Sequence, residues 1–189
     1  AVLINDDLLI DLGPDVMTAS LIHEVSLTRV AYCLQTHAHD DHLDPSHFLS
    51  RSPAYGVPNA PLLRFYASPA SADATAVLLE RDLPDKGFLT SRGWEELNLE
   101  VHQVGVLRPF QVGPYHVTAF PANHDRTVES LLFAVEHDGC TLFYGTDTGE
   151  FSPEMWRAMQ ESTLIFDVVV LDHTYGPDHS GSAHLNAWQ

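Results

Sequence analysis

Between Gln35 and His42 the chain reads QTHAHDDH, three histidines and two aspartates in eight positions. The segment follows an apolar run, VAYCL, so the ionisable groups collect where a strand should end. Crowded carboxylates repel one another and are costly to dehydrate, so such a cluster either stays in water or neutralises itself around a cation. Imidazole nitrogen and carboxylate oxygen suit zinc, manganese and iron alike. In the H-x-H-x-D-H pattern, His37 and His39 alternate and can aim at one ion, while Asp41 and His42 reach a neighbouring one. A solvated turn or a helix cap is the simpler alternative, and in LDPSHFL Asp44 fits an N-cap with Pro45 at N1. That alternative accounts for Asp44 and leaves the other four residues unexplained, so metal binding is the expectation for the quartet.

Two later strand ends supply side chains of the same kind. VTAFPANHDR sets His124 just after an apolar run, and TLFYGTDTGE sets Asp147 in a glycine-flanked turn. Alone, a histidine at a strand end is an ordinary hydrogen-bonded residue and an aspartate in GTDTG an ordinary turn former. Beside the quartet they read differently, because one aspartate can bridge two cations with its two oxygens.

The elements that must position these groups follow from periodicity. VLINDDLLIDLG reads as a hairpin turning at Asn5-Asp6-Asp7, ended by Gly13-Pro14. DVMTASLIHEV spaces Val16, Met17, Leu21 and Ile22 at helical intervals, and TRVAYCL suits a strand buried on both faces. Residues 51–61 are turn-rich and read as a mobile loop beside the cluster; LLRFYAS follows as a strand and ASADATAVLLERD as a helix. The second half carries strand signals in LNLEVHQV, YHVTAFPA, SLLFAVE and CTLFYG, the last two joined by His137-Asp138-Gly139. A helix over 153–160 and a buried strand LIFDVVVLD follow, and HLNAWQ reads as the opening turn of another helix. Strand-rich halves with interspersed helices predict an α/β protein of two packed sheets with helices outside, in one domain over 1–189.

Composition bounds the partners. Nine Lys and Arg stand against 26 Asp and Glu, for a formal net charge of -17, which repels nucleic acid and anionic membranes. No apolar stretch approaches a membrane span, and AVLINDDLLIDLG lacks the form of a signal peptide, so a cytoplasmic protein is expected. Cys33 and Cys140 are too few for a disulfide framework and are expected to be buried, reduced and inert. The remaining His23, His47, His102, His116 and His137 read as surface or packing residues. The chain opens without Met on a strand and stops inside a helical pattern, so both termini read as truncated.

Taken together, H-x-H-x-D-H after a strand, a later strand-end histidine, YGTDTG and the early LLIDLGP resemble the metallo-β-lactamase superfamily, over about residues 4–186. The resemblance implies an αβ/βα sandwich of two mixed β-sheets flanked by helices, with a dinuclear site on one sheet edge. It implies His37, His39 and His124 on the first metal, Asp41 and His42 on the second, and Asp147 bridging. A last histidine ligand is expected beyond Gln189, after a further helix and strand; His173 and His179, in a loop, are the less favoured substitutes. LDHTYG followed by SAHLN resembles the branch containing ribonuclease Z and a phosphoribosyl cyclic phosphate phosphodiesterase. In that branch the histidine matching His184 protonates the leaving oxygen and the residue matching Asp172 supports it; otherwise His184 merely opens a helix.

The chemistry so implied is hydrolysis of a small phosphodiester or cyclic phosphate. Two divalent ions, Zn or Mn and less readily Fe, about 3.5–4 Å apart would share an attacking hydroxide. His184 would return a proton to the alkoxide. Arg126, beside His124, is a candidate for a second phosphate of the substrate, or else an ordinary surface charge. Few basic residues and no glycine-rich basic arm argue against tRNA as substrate. A lactone, thioester or β-lactam hydrolase, or a non-catalytic metal-binding accessory protein, are the alternatives.

Overall fold

The computed structural model describes residues 1–52, 61–90, 92–179 and 181–189. Most of the expected loop at 51–61 lies outside these residues. The chain divides into two compact units, Ala1–Gln103 and Val104–Gln189, each built on one five-stranded mixed sheet. Two mixed sheets with helices are the α/β class expected. No helix among the described residues is long and apolar enough to cross a membrane.

The first unit opens on β1 (Val2–Ile4) and β2 (Leu8–Ile10), an antiparallel hairpin. Its three-residue turn, Asn5 to Asp7, uses Asn5 and Asp6 at positive φ, 47° and 66°, a backbone that Asn and Asp tolerate. Then come α1 (Val16–Ile22), β3 (Tyr32–Leu34), α2 (Ser46–Leu49), β4 (Leu63–Ala67), α3 (Pro69–Asp82), a 3-10 turn (Phe88–Thr90), α4 (Arg92–Glu96) and β5 (Leu99–Gln103). From β2 to β5 all pairings are parallel. The C-terminal ends of these strands therefore share one edge, and the residues that follow β2, β3 and β4 emerge there together. Leu9, Cys33, Leu63, Phe65 and Leu99 of this sheet share a core with Ala72, Ala76 and Leu79 of α3. The α3 helix starts where Ser68 Oγ accepts from Ser71 N at 3.2 Å and Pro69 fills the first turn.

The second unit runs β6 (Phe110–Val112), β7 (Tyr115–Pro121), β8 (Leu131–His137), β9 (Cys140–Gly145), α5 (Pro153–Glu161) and β10 (Val168–Leu171), in sheet order β10-β9-β8-β7-β6. All pairings are antiparallel except β9 with β10, which α5 connects. Strands β7, β9 and β10 thus point the same way and end on one edge. Phe120, Leu132, Ala134 and Phe143 pack with Met155 of α5 as its core. Ser152 caps α5 by accepting from Met155 N at 3.1 Å.

Several expectations need correction. Of the helical stripe on α1 only Val16 is buried, and Leu21 is 78% exposed, because a seven-residue helix offers the core little more than one turn. LIFDVVVLD yields an edge strand: β10 pairs on one side alone, so Val168, Val169 and Leu171 are exposed. Cys33 is buried, but Cys140, next to the Asp138-Gly139 turn, is exposed. HLNAWQ forms turns and no helix. The short β6 and α4 were not expected.

Candidate functional site

In the first unit the histidine cluster is organised by a residue far from it in sequence. Asp11 follows β2 with φ +65° and is 1% exposed. Its Oδ1 accepts from Thr36 N and Thr36 Oγ1, both at 2.8 Å, and from Gln35 Nε2 at 3.1 Å, while Oδ2 lies 2.8 Å from His42 Nδ1. A carboxylate can only accept, so the proton of this last bond sits on Nδ1 and His42 presents Nε2 as its lone-pair nitrogen. The same reasoning fixes His37. Thr36 Oγ1 gives its one proton to Asp11, so it accepts from His37 Nδ1 at 2.9 Å, and His37 too presents Nε2. That nitrogen lies 3.0 Å from His39 Nδ1, and the His37 and His42 rings stand 4.3 Å apart between centroids. Asp41 is 78% exposed with Oδ2 at 3.5 Å from His42 Nε2.

Backbone bonds hold this loop against β2. Leu12 N donates to His42 O at 3.0 Å and Asp44 N to Leu12 O at 2.7 Å. Gln35 Nε2 also reaches His37 O at 2.7 Å and His42 O at 3.0 Å, tying both ends of the motif together. Gly13 is required here: a Cβ would stand 2.2 Å from Asp41 O. Asp44 accepts from Ser46 N at 2.9 Å at the start of α2. Burial opposes ionisation of this carboxyl, yet the Ser46 hydrogen bonds and nearby His47 outweigh it and hold the group below the usual carboxylate range.

In the second unit the groups arrive singly, from the shared edge of three strands. His124 follows β7, Asp147 follows β9 with φ +53°, and Asp172 follows β10. His124 Nδ1 donates to Ala183 O at 3.0 Å, which leaves its lone pair on Nε2. Buried Asp172 accepts from Thr174 N at 2.7 Å through Oδ1 and from Thr148 N at 3.1 Å through Oδ2. The same Oδ2 lies 2.6 Å from His184 Nδ1, which is also 3.5 Å from Asp147 Oδ1. Ligand atoms of His124, Asp147 and His184 lie within 4.8 Å of one another. The His124 and His184 rings meet edge to face at 5.0 Å. Gly149 carries this arrangement: its N donates to Asn123 O at 2.6 Å, and a Cβ would stand 2.0 Å from Ser182 O. Its neighbourhood joins the His124, Asp147 and His184 segments.

Arg126 is exposed at the tip of a turn in which Asp125 Oδ1 accepts from Thr127 N and Oγ1, away from any salt bridge among the described residues. His173 and His179 are exposed and outside the converging set. Sequence reasoning gave Asp11 no role, although it stands in the quoted LLIDLGP; an acid at the end of an apolar strand, just before Gly-Pro, was the available signal. Gln35 and Thr36 were likewise passed over.

Both clusters fit a divalent cation by the chemistry of their donors. Neutral imidazoles whose tautomer is set by a second hydrogen bond, with carboxylates beside them, are the ligands such ions take. The parallel-edge placement, the α/β class and this donor set define a metal-binding class of protein. The chain matches the Beta-lactamase superfamily domain over residues 7–189 and belongs to that family, the metallo-β-lactamase superfamily. Solved structures share the fold. A diphosphatase of the PhnP family is 16% identical, with a TM-score of 0.69 over 98% of this chain and 62% of its own. The short form of human tRNase Z is 17% identical, with a TM-score of 0.66 over 94% and 71%. Zn(2+)-bound PqqB from Methylobacterium extorquens is 15% identical, with a TM-score of 0.61 over 92% and 59%. The chain thus spans about three-fifths of the length of the diphosphatase. No curated protein matches it in sequence.

Proposed function

We propose that this chain is one metallo-hydrolase domain that cleaves a small phosphodiester or cyclic phosphate. The observation that carries the reading is the His184–Asp172 hydrogen bond at 2.6 Å, with His184 Nδ1 also 3.5 Å from Asp147 and its ring against that of His124. His37, His39 and His124 would hold one ion, Asp41 and His42 a second, with Asp147 shared, and family membership supports joining the two clusters in one centre. Zn or Mn suits these donors best and Fe is compatible. When bound, such ions polarise a phosphoryl oxygen and make water nucleophilic near neutral pH.

The chain's own residues supply the rest. Asp172 keeps the Nδ1 proton of His184 in place, so Nε2 is the atom that carries a proton to the departing alkoxide. Asp11 and Thr36 keep His42 and His37 in the tautomers that bind cations. Arg126, exposed and two residues after His124 in sequence, would contact a second anionic group on the substrate. A net charge of -17 favours a small anion guided by local cationic groups over a polyanion such as tRNA. Buried acids bonded to buried or half-buried imidazoles suit a phosphodiesterase acting on a free metabolite, and a cytoplasmic location is part of the same proposal.

The test is turnover of bis(p-nitrophenyl) phosphate and of small cyclic phosphates by chain loaded with Zn or Mn. Metal-dependent release of p-nitrophenolate is expected. A loaded protein that leaves every such diester intact removes the phosphodiesterase reading.

A further inference from the structure

Asp172 holds the His184 imidazole at a single atom, Nδ1. That hydrogen bond fixes where Nδ1 sits, and the His124 ring, edge to face at 5.0 Å, meets the imidazole as a second contact. Proton delivery needs the plane fixed as well, because Nε2 moves through an arc when the ring turns. The second unit contains a side chain that supplies this restraint. Tyr175 meets His184 edge to face, with centroids 5.5 Å apart and planes at 87°. Its own ring is seated against Gly181, where a Cβ would stand 2.4 Å from Tyr175 Oη and 2.5 Å from Cε2 and Cζ. The two backbone segments are stitched together on either side, Tyr175 N to Leu185 O at 3.2 Å and Ala187 N to Gly176 O at 3.0 Å.

We propose that Tyr175 is a positioning residue: its ring, made possible by the missing side chain at Gly181, fixes the imidazole plane of His184 so that Nε2 faces the substrate. The inference rests on the reading of His184 as proton donor. The hydroxyl is not needed for this role, since the contact is between the two rings and the phenol oxygen lies against Gly181. Phenylalanine should therefore replace tyrosine, and a branched aliphatic should not.

The test uses the whole metal-loaded chain and two diesters that differ in their need for a proton. An alkoxide leaving group requires protonation, whereas p-nitrophenolate departs without it. Tyr175→Leu is expected to lower kcat on a five-membered cyclic phosphate on the order of tenfold, the size of a lost aromatic contact at the reacting atom. It should change bis(p-nitrophenyl) phosphate turnover less than about twofold and leave metal content unaltered. Tyr175→Phe should match wild type on both substrates. Gly181→Ala should reproduce the leucine pattern, and it decides the matter if Tyr175→Leu fails to fold. Equal losses on both diesters, no loss on the cyclic phosphate, or a phenylalanine variant as impaired as the leucine one would each overturn the proposal. NMR relaxation at His184 Cε1, assigned against His184→Gln, provides a readout without turnover. Restricted ring motion is expected in wild type and faster motion in Tyr175→Leu, with the Nδ1 proton still held by Asp172 in both. Unchanged ring motion in that variant overturns the positioning role even if no diester is a substrate, and a wild type inert to both diesters refutes the functional reading alone.

Discussion

The two clusters solve the same problem with opposite economies of sequence. In the first unit four metal-ligand-type side chains lie within six residues, His37 to His42, and two of them, His37 and His42, are oriented through one buried acid, Asp11. In the second unit His124, Asp147, Asp172 and His184 come from four separate segments, and backbone groups such as Ala183 O and Thr148 N orient them. Each arrangement also depends on one glycine where another segment passes too close for a side chain, Gly13 under Asp41 O and Gly149 under Ser182 O. A contiguous motif needs a remote anchor, whereas dispersed residues need the sheet edge itself to bring them together.

Removing the anchor should have the largest effect. Asp11→Ala strips an acceptor from Gln35, Thr36 and His42 in a buried position. It is expected to cost about 3–5 kcal/mol of stability, since several buried donors lose their acceptor at about 1–3 kcal/mol each, and to weaken metal binding about 10–100-fold. Urea melts and metal titration check both. His184→Ala should act on rate alone, lowering turnover of a cyclic phosphate, whose alkoxide must be protonated, about 10²–10⁴-fold with metal content intact; lost metal would instead make His184 a ligand. The glycines test whether close approach matters equally in the two clusters. Gly13→Ala and Gly149→Ala should each cost about 1–3 kcal/mol by overpacking, with Gly149→Ala also lowering turnover because the Ser182–His184 segment must shift.

The thiols give the smallest effect and the simplest comparison of the units. Native chain should react with a thiol reagent at Cys140 only, and denatured chain at both. Burial, with Asp11 nearby, pushes the Cys33 thiol well above its ordinary value of 9.0. The folded state therefore keeps a proton that the unfolded chain loses above about pH 9. Stability from this group is complete below that pH and should decline as pH rises beyond it, and Cys33→Ala should flatten the decline.

What the sequence made legible follows the same division. The quartet could be read because its residues are neighbours, and the strand-end positions of His124 and Asp147 because each follows an apolar run. Asp11 was obscured because an aspartate before Gly-Pro is also what a turn requires. The Asp172–His184 contact became a candidate only through family resemblance, since no local pattern announces a pairing across twelve residues of loop. Periodicity overreached where burial depends on neighbours. The α1 stripe and the β10 run look apolar enough for a core, yet a seven-residue helix and an edge strand leave three of four such side chains exposed in each.

The central claim is that both clusters serve one pair of divalent ions. Anomalous scattering at the zinc and manganese edges from crystals of metal-loaded chain tests it most directly. Two peaks are predicted, one against His37, His39 and His124, the other against Asp41 and His42, with Asp147 touching both. Peaks at His173 or His179 instead, or none at the quartet, would contradict it.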